Sequence, residues 1–181
     1  TMFDLLTYDN EGRPRLTVTV ENKNPTLAVF TAQNGIPPTT NYATRDVRGI
    51  FPVLDFDNTT SESIYFVGLM PQQYQNNGIT AYLYFTSDAT SGDVDWDISF
   101  DRLTSADLDI DGNSFGDITS SDGNDVSGTS GAITIATWSI SSGSAMDNVV
   151  AGDMFMLKLT RDIADTAASD ANLLALELRG Q

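Results

Sequence analysis

The chain has 181 residues, 40% of them hydrophobic, and a formal net charge of −16. It contains neither cysteine nor histidine. That excludes disulfide frameworks, thiolate and Ser-His-Asp chemistry, and imidazole-built zinc, copper or haem sites. Length and apolar content suit one domain able to bury a core, and no stretch reaches the roughly 18 apolar residues of a spanning helix.

The charge is uneven along the chain. Residues 1–50 hold five acids and five bases, so the rest, with twenty acids and four bases, carries the whole excess. Such a surface repels nucleic-acid phosphates and anionic membranes. Its plain reading is solubility.

In chain order, residues 15–21 alternate, with Leu16, Val18 and Val20 on one face. A turn at 22–26 leads to a second short strand at 27–32, and 33–44 carries Asn34-Gly35 and Pro37-Pro38, a loop or linker. The charge balance changes at this point. It predicts an N-terminal arm over 1–49 and a body over 50–181; the alternative is that the arm's two strands extend one sheet of the same domain. Arg13, Arg15, Arg45 and Arg48 of the arm are expected at an interface, pairing with carboxylates of other chains.

The body predicts strands at 50–56, 63–69, 79–86, 93–103, 114–119, 132–140, 154–161 and 172–179. Single helical turns are expected at 105–108 and 145–149, the latter capped by Ser144. The clearest strand is 93–101. Val94, Trp96, Ile98 and Phe100 fall on one side, and Asp93, Asp95, Asp97, Ser99 and Asp101 on the other. Ile79, Ala81, Leu83 and Phe85 form a second inward row, Phe155, Leu157 and Leu159 a third, and Leu174, Leu176 and Leu178 a fourth. About eight antiparallel strands with turn clusters between them predict an all-β jelly-roll sandwich. Trp96 is expected in its core. Trp138, of opposite parity to Ile133 and Ile135, reads as core or interface ahead of a sugar-stacking ring. Tyr82 and Tyr84 face outward and are interface candidates.

One motif carries metal chemistry. Asp107, Asp109 and Asp111 followed by Gly112 match the first half of a calcium loop, with hard oxygen donors at alternate positions. The match then fails, because the place of the bidentate Glu is taken by Ile118. A solvated acidic turn is the expectation, and calcium is the one cofactor the donors would accept. The run 122–125 reads as a loop tip. Gly-x-Ser-x-Gly and phosphate-cradling loops are absent. Twenty acids always supply some pair at a glycosidase spacing, so such pairs mean nothing without a cleft. No enzyme is expected.

From residue 51 onward the chain resembles small structural proteins of marine and environmental tailed phages. The resemblance rests on 51–57 (FPVLDFD), 92–102 (GDVDWDISFDR), 145–147 with 151–153, 157–162 (LKLTRD) and 174–179 (LALELR). It implies a jelly-roll virion component, soluble before assembly, that decorates or cements the capsid surface or forms a piece of the tail apparatus. Its partners would be the major capsid protein or neighbouring virion proteins, with dimeric or trimeric self-association and no nucleic acid or membrane. The alternative is a carbohydrate- or receptor-binding module of a phage tail, which needs a concave site with convergent polar groups.

Overall fold

A computed structural model describes residues 5–8, 11, 14–17, 24–103, 112 and 114–181. The side chains of 5–8 and 14–17 are not described. Strands β1 (Leu5–Tyr8) and β2 (Pro14–Thr17) pair with each other as a two-stranded ribbon. Ten further strands follow: β3 (Thr26–Thr31), β4 (Thr44–Arg48), β5 (Phe51–Phe56), β6 (Ser63–Leu69), β7 (Ile79–Ser87), β8 (Asp93–Leu103), β9 (Thr119–Asp125), β10 (Thr134–Ile140), β11 (Met154–Asp162) and β12 (Ala171–Gly180). They form two antiparallel sheets. One has the order β10-β7-β12-β5-β4, with β3 also on β12, and the other is β6-β11-β8-β9.

The last eight strands pair as one long hairpin rolled over on itself. β8 lies beside β9, β7 beside β10, β6 beside β11 and β5 beside β12. That nesting defines the jelly roll. Among the described residues regular helix is confined to two single 3-10 turns, Ala32–Asn34 and Ser144–Met146, and no helix is long and apolar enough to cross a membrane.

Alternation builds the core. Val94, Trp96, Ile98 and Phe100 are fully buried, as are Ile79, Ala81, Leu83, Phe85, Phe155, Leu157 and Leu159. Trp96 is 0% exposed. Its ring meets Phe56 edge-on at 5.1 Å and Phe85 at 5.6 Å. Where Phe155 crosses β6 the partner is Gly68, and a methyl group there would lie 2.5 Å from the Phe155 ring, so only glycine fits.

Several sequence expectations need correction. The strand expected at 114–119 lies further on, as β9, and takes in the run read as a loop tip. Polar side chains hold it on β8: the Gly123 amide donates to Asp95 Oδ1, and Asn124 Nδ2 donates to the carbonyls of Val94 and Ser121. In β12 a bulge between Leu173 and Ala175 reverses parity, so Leu173, Leu176 and Leu178 point inward and Leu174 does not. The turn at Ser144–Met146 has Gly143 at its cap position and no side-chain cap, while 105–108 lies outside the described residues.

Residues 26–48 are not a detached arm. β3 pairs with β12, and Phe30 stacks on Phe66 at 5.1 Å. Leu27, Phe30, Ala32 and Ala43 are buried in the sandwich core, and β4 extends the sheet beyond β5. Five apolar groups outweighed the linker signal of Asn34-Gly35 and Pro37-Pro38: those four and Leu54, whose side chain closes against Gly35. The boundary drawn at residue 50 therefore does not separate two units.

The carboxylates pull stability in opposite directions with pH. Burial raises the pKa of Asp55, Glu62, Asp95 and Asp101, with neighbouring Asp170 adding to Asp55. These groups hold protons more tightly when folded, so stability is gained as pH falls through their raised values. Asp57, Asp88, Asp93 and Glu177 are lowered, chiefly by hydrogen bonds from Thr59, Ser130, Thr166 and Arg179 respectively. Their contribution is present above the ordinary carboxylate range and is lost only at lower pH. Stability should therefore peak at mild acidity, at about pH 4–5, rather than at neutrality. Urea midpoints measured from pH 3 to 8 check this, and a midpoint falling steadily from pH 7 to 5 would contradict it.

Candidate functional site

A groove of about 450 Å³ runs along the outer face of the β6-β11-β8-β9 sheet. Its floor comes from Ser63 and Tyr65 on β6 and from Lys158 and Thr160 on β11. Cross-strand register sets them in two rows, Tyr65 beside Lys158 and Ser63 beside Thr160. These are the outward-parity positions of strands whose inward positions, Ile64, Phe66, Leu157 and Leu159, are core. The wall is residues 38–41, part of a segment laid along the free edge of β6. Ile36 and Tyr65 exchange backbone hydrogen bonds of 2.8 and 2.9 Å, and the Ser63 amide donates to the Asn41 carbonyl at 2.9 Å. Paired prolines at 37 and 38 favour the extended course, and Asn41 turns it with φ +50°. The segment thereby covers an edge that would otherwise present unpaired strand backbone.

The groove is rich in uncommitted polar groups. Ser63 and Thr160 share one hydroxyl–hydroxyl hydrogen bond of 2.9 Å, and Ser61 Oγ donates to the Arg161 carbonyl. Among the described residues, the side chains of Thr39, Thr40, Asn41, Tyr65 and Lys158 make no hydrogen bond. The Tyr65 ring is held by Phe115, stacked at 5.7 Å and 18°.

A second depression, of about 660 Å³, lies where the β4–β5 turn curls over the other sheet, lined by Asp46, Arg48, Asp55, Asp88, Asp170 and Asn172 among others. Arg48 crosses it, donating to Asn172 Oδ1 at 2.6 Å and pairing with Asp88, and Asn172 in turn donates to Asp55. Its polar groups are largely occupied by one another.

The sequence candidates fall as follows. Asp107, Asp109, Asp111 and Arg13 lie outside the described residues. Arg15 is on β2, its side chain undescribed. Arg45 and Arg48, expected at an interface, direct their guanidinium donors inside the chain. Arg45 reaches the carbonyls of Gln33 and Gly35, and Arg48 binds Asp88 and Asn172. Tyr82 and Tyr84 do face outward, half-buried, and Arg179 lies over the Tyr82 ring at 4.3 Å. Trp138 is inward and buried. No three or more His, Cys, Asp or Glu side chains among the described residues are arranged to hold a metal ion. The groove residues were not singled out from the sequence. Outward parity marks Tyr65, Lys158 and Thr160, but only register brings them to the 38–41 wall.

The strand order defines a jelly-roll sandwich, and among the described residues a hydroxyl-lined groove opens on the face of β6 and β11. No family model matches the chain, and no curated protein matches it. Among solved structures it is similar to the CBM36-1 domain of a multidomain xylanase from the hindgut metagenome of Trinervitermes trinervoides. That match has 12% identity and a TM-score of 0.48, covering 85% of this chain and 97% of that one. The mannan-recognising carbohydrate-binding module TmCBM27 shows 7% identity and a TM-score of 0.41, covering 88% and 99%. A structure of infectious bursal disease virus Gx strain shows 9% identity and a TM-score of 0.38, covering 99% and 37%. These are likenesses of general shape, and the groove stands on its own residues.

Proposed function

We propose that this chain is a non-enzymatic binding module that holds a carbohydrate chain in the groove between residues 38–41 and the face of β6 and β11. One observation carries the reading: hydroxyl, amide and ammonium groups without partners among the described residues converge beside an anchored tyrosine ring. A polyhydroxylated ligand offers matching donors and acceptors, and sugar C–H faces pack on aromatic carbon. The test is affinity electrophoresis through gels containing a panel of soluble polysaccharides. At least one should retard the protein, and Tyr65→Ala should weaken that binding by about tenfold or more, roughly 1.4 kcal/mol. A panel that retards nothing would sink the reading.

A second reading, the virion structural protein implied by the phage resemblance, is favoured by one separate feature. The outer face of the other sheet carries exposed Val29, Ile133 and Ile135 around Tyr82 and Tyr84. Ile133 and Ile135 beside the two tyrosines, with Val29 beyond the Glu177–Arg179 pair, are exposed groups that an assembly contact would bury. Sedimentation equilibrium checks the self-association it calls for: a dimer or trimer reduced to monomer by Ile135→Lys supports it, and a monomer at every concentration counts against it.

A further inference from the structure

In a chain of net charge −16, the described residues that line the groove include no carboxylate and a single charge, the ammonium of Lys158. The other described cations are occupied. Arg48, Arg102, Arg161 and Arg179 pair with Asp88, Asp153, Asp165 and Glu177, and Arg45 is turned to two backbone carbonyls. Lys158 has neither an ion pair nor a hydrogen bond among the described residues.

Among the described residues, the two β8 carboxylates diagonal to Lys158 are turned away or buried. Asp97, opposite Thr160, accepts from Ser120 on the far side, toward β9. Asp101, opposite Met156, is 4% exposed. Lys158 itself stands between Tyr65 and Ser99 with an uncharged neighbour on each flanking strand. Lys158 thus places an uncommitted positive charge among hydroxyls in an otherwise acidic body. Carboxylates beyond about 8 Å are largely screened at physiological ionic strength, so the contact charge decides what binds there.

We propose that the groove takes an acidic saccharide, a uronic-acid chain. One sugar carboxylate would sit on Lys158 Nζ, and ring hydroxyls would meet Thr39, Thr40, Asn41 and the Tyr65 hydroxyl. This rests on the carbohydrate reading above and names its substrate class. A charge-assisted ammonium–carboxylate contact is about twice as strong as a neutral one, and among the described residues no side chain already pairs with the ammonium.

The experiment compares polygalacturonate and polymannuronate with the same polymers after reduction of their carboxyl groups to primary alcohols. It uses the full chain and its Lys158→Gln and Lys158→Arg variants at low and high salt. The native polymers should bind at least tenfold more tightly than their reduced forms, with the advantage shrinking in high salt. Lys158→Gln should bring that ratio close to one, and Lys158→Arg should keep most of it. Equal affinity for native and reduced polymers overturns the inference and leaves the carbohydrate reading standing. So does binding of a neutral polysaccharide with no uronate bound. Failure to bind any polysaccharide overturns both.

Discussion

Asp165→Ala should lower the free energy of unfolding by roughly 3–5 kcal/mol, the usual cost of stranding one member of a buried ion pair. The reason is Arg161, which continues the inward row of Phe155, Leu157 and Leu159 and is 0% exposed, with Asp165 at 2%. Its guanidinium uses every N–H it has. Nε and Nη2 clasp Asp165 at 2.7 and 3.2 Å, while Nη1 and Nη2 reach the carbonyls of Phe56, Ser169 and Ala167 at 3.0, 3.2 and 3.4 Å. Removing the carboxylate leaves a full charge at the end of the core. Arg161→Met is also destabilising, because Asp165 and three carbonyls lose their donor. The double variant should cost clearly less than the sum of the two, since the groups act as a unit. Urea melts of the three proteins measure this, and an Asp165→Ala cost below about 1 kcal/mol would mean the pair is not buried in solution.

Trp96→Ala should cost on the order of 3–5 kcal/mol, the range for truncating a large aromatic core residue. The indole fills the space between Phe56 on one sheet and Phe85 two strands away from it. Among the described residues its Nε1 has no hydrogen-bond partner, so the ring contributes by volume and contact. Trp96→Phe should therefore cost much less than Trp96→Ala, with no donor lost. A small effect of Trp96→Ala would imply that β8 is slipped by one residue, which would turn Trp96 outward with every other inward group of the strand.

The residues that made the fold legible were those whose burial follows period two without interruption. β7, β8 and β11 could be read side chain by side chain. Reading failed where a tertiary contact overrides the local pattern. Leu174 breaks the alternation of β12 because a bulge inserts it, and nothing in its neighbours announces a bulge. β9 is polar enough to read as a loop, because its stabilisation comes from Asp95, Asp97 and Asn124 side chains rather than from apolar burial. Residues 26–48 read as an arm because charge balance reports on surface, while Leu27 and Phe30 attach them through the core. The groove was half legible. Parity exposes Tyr65 and Lys158, but the 38–41 wall reaches them through backbone bonds to β6 that no local signal encodes.

The position of β12 has a consequence for the order of events during synthesis. It is flanked by β7 on one side and, on the other, by β5 at Ala171–Leu173 and by β3 at Ala175–Arg179. It also follows all of them in sequence. On the ribosome, β3, β5 and β7 emerge with their central partner still to be made, their inward rows facing water and their ladder edges open. That sheet closes only after β12 clears the exit tunnel, so collapse is late and depends on contacts distant in sequence. The β6-β11-β8 ladder can form about one strand earlier. The net charge of −16 opposes contact between half-made copies over that interval.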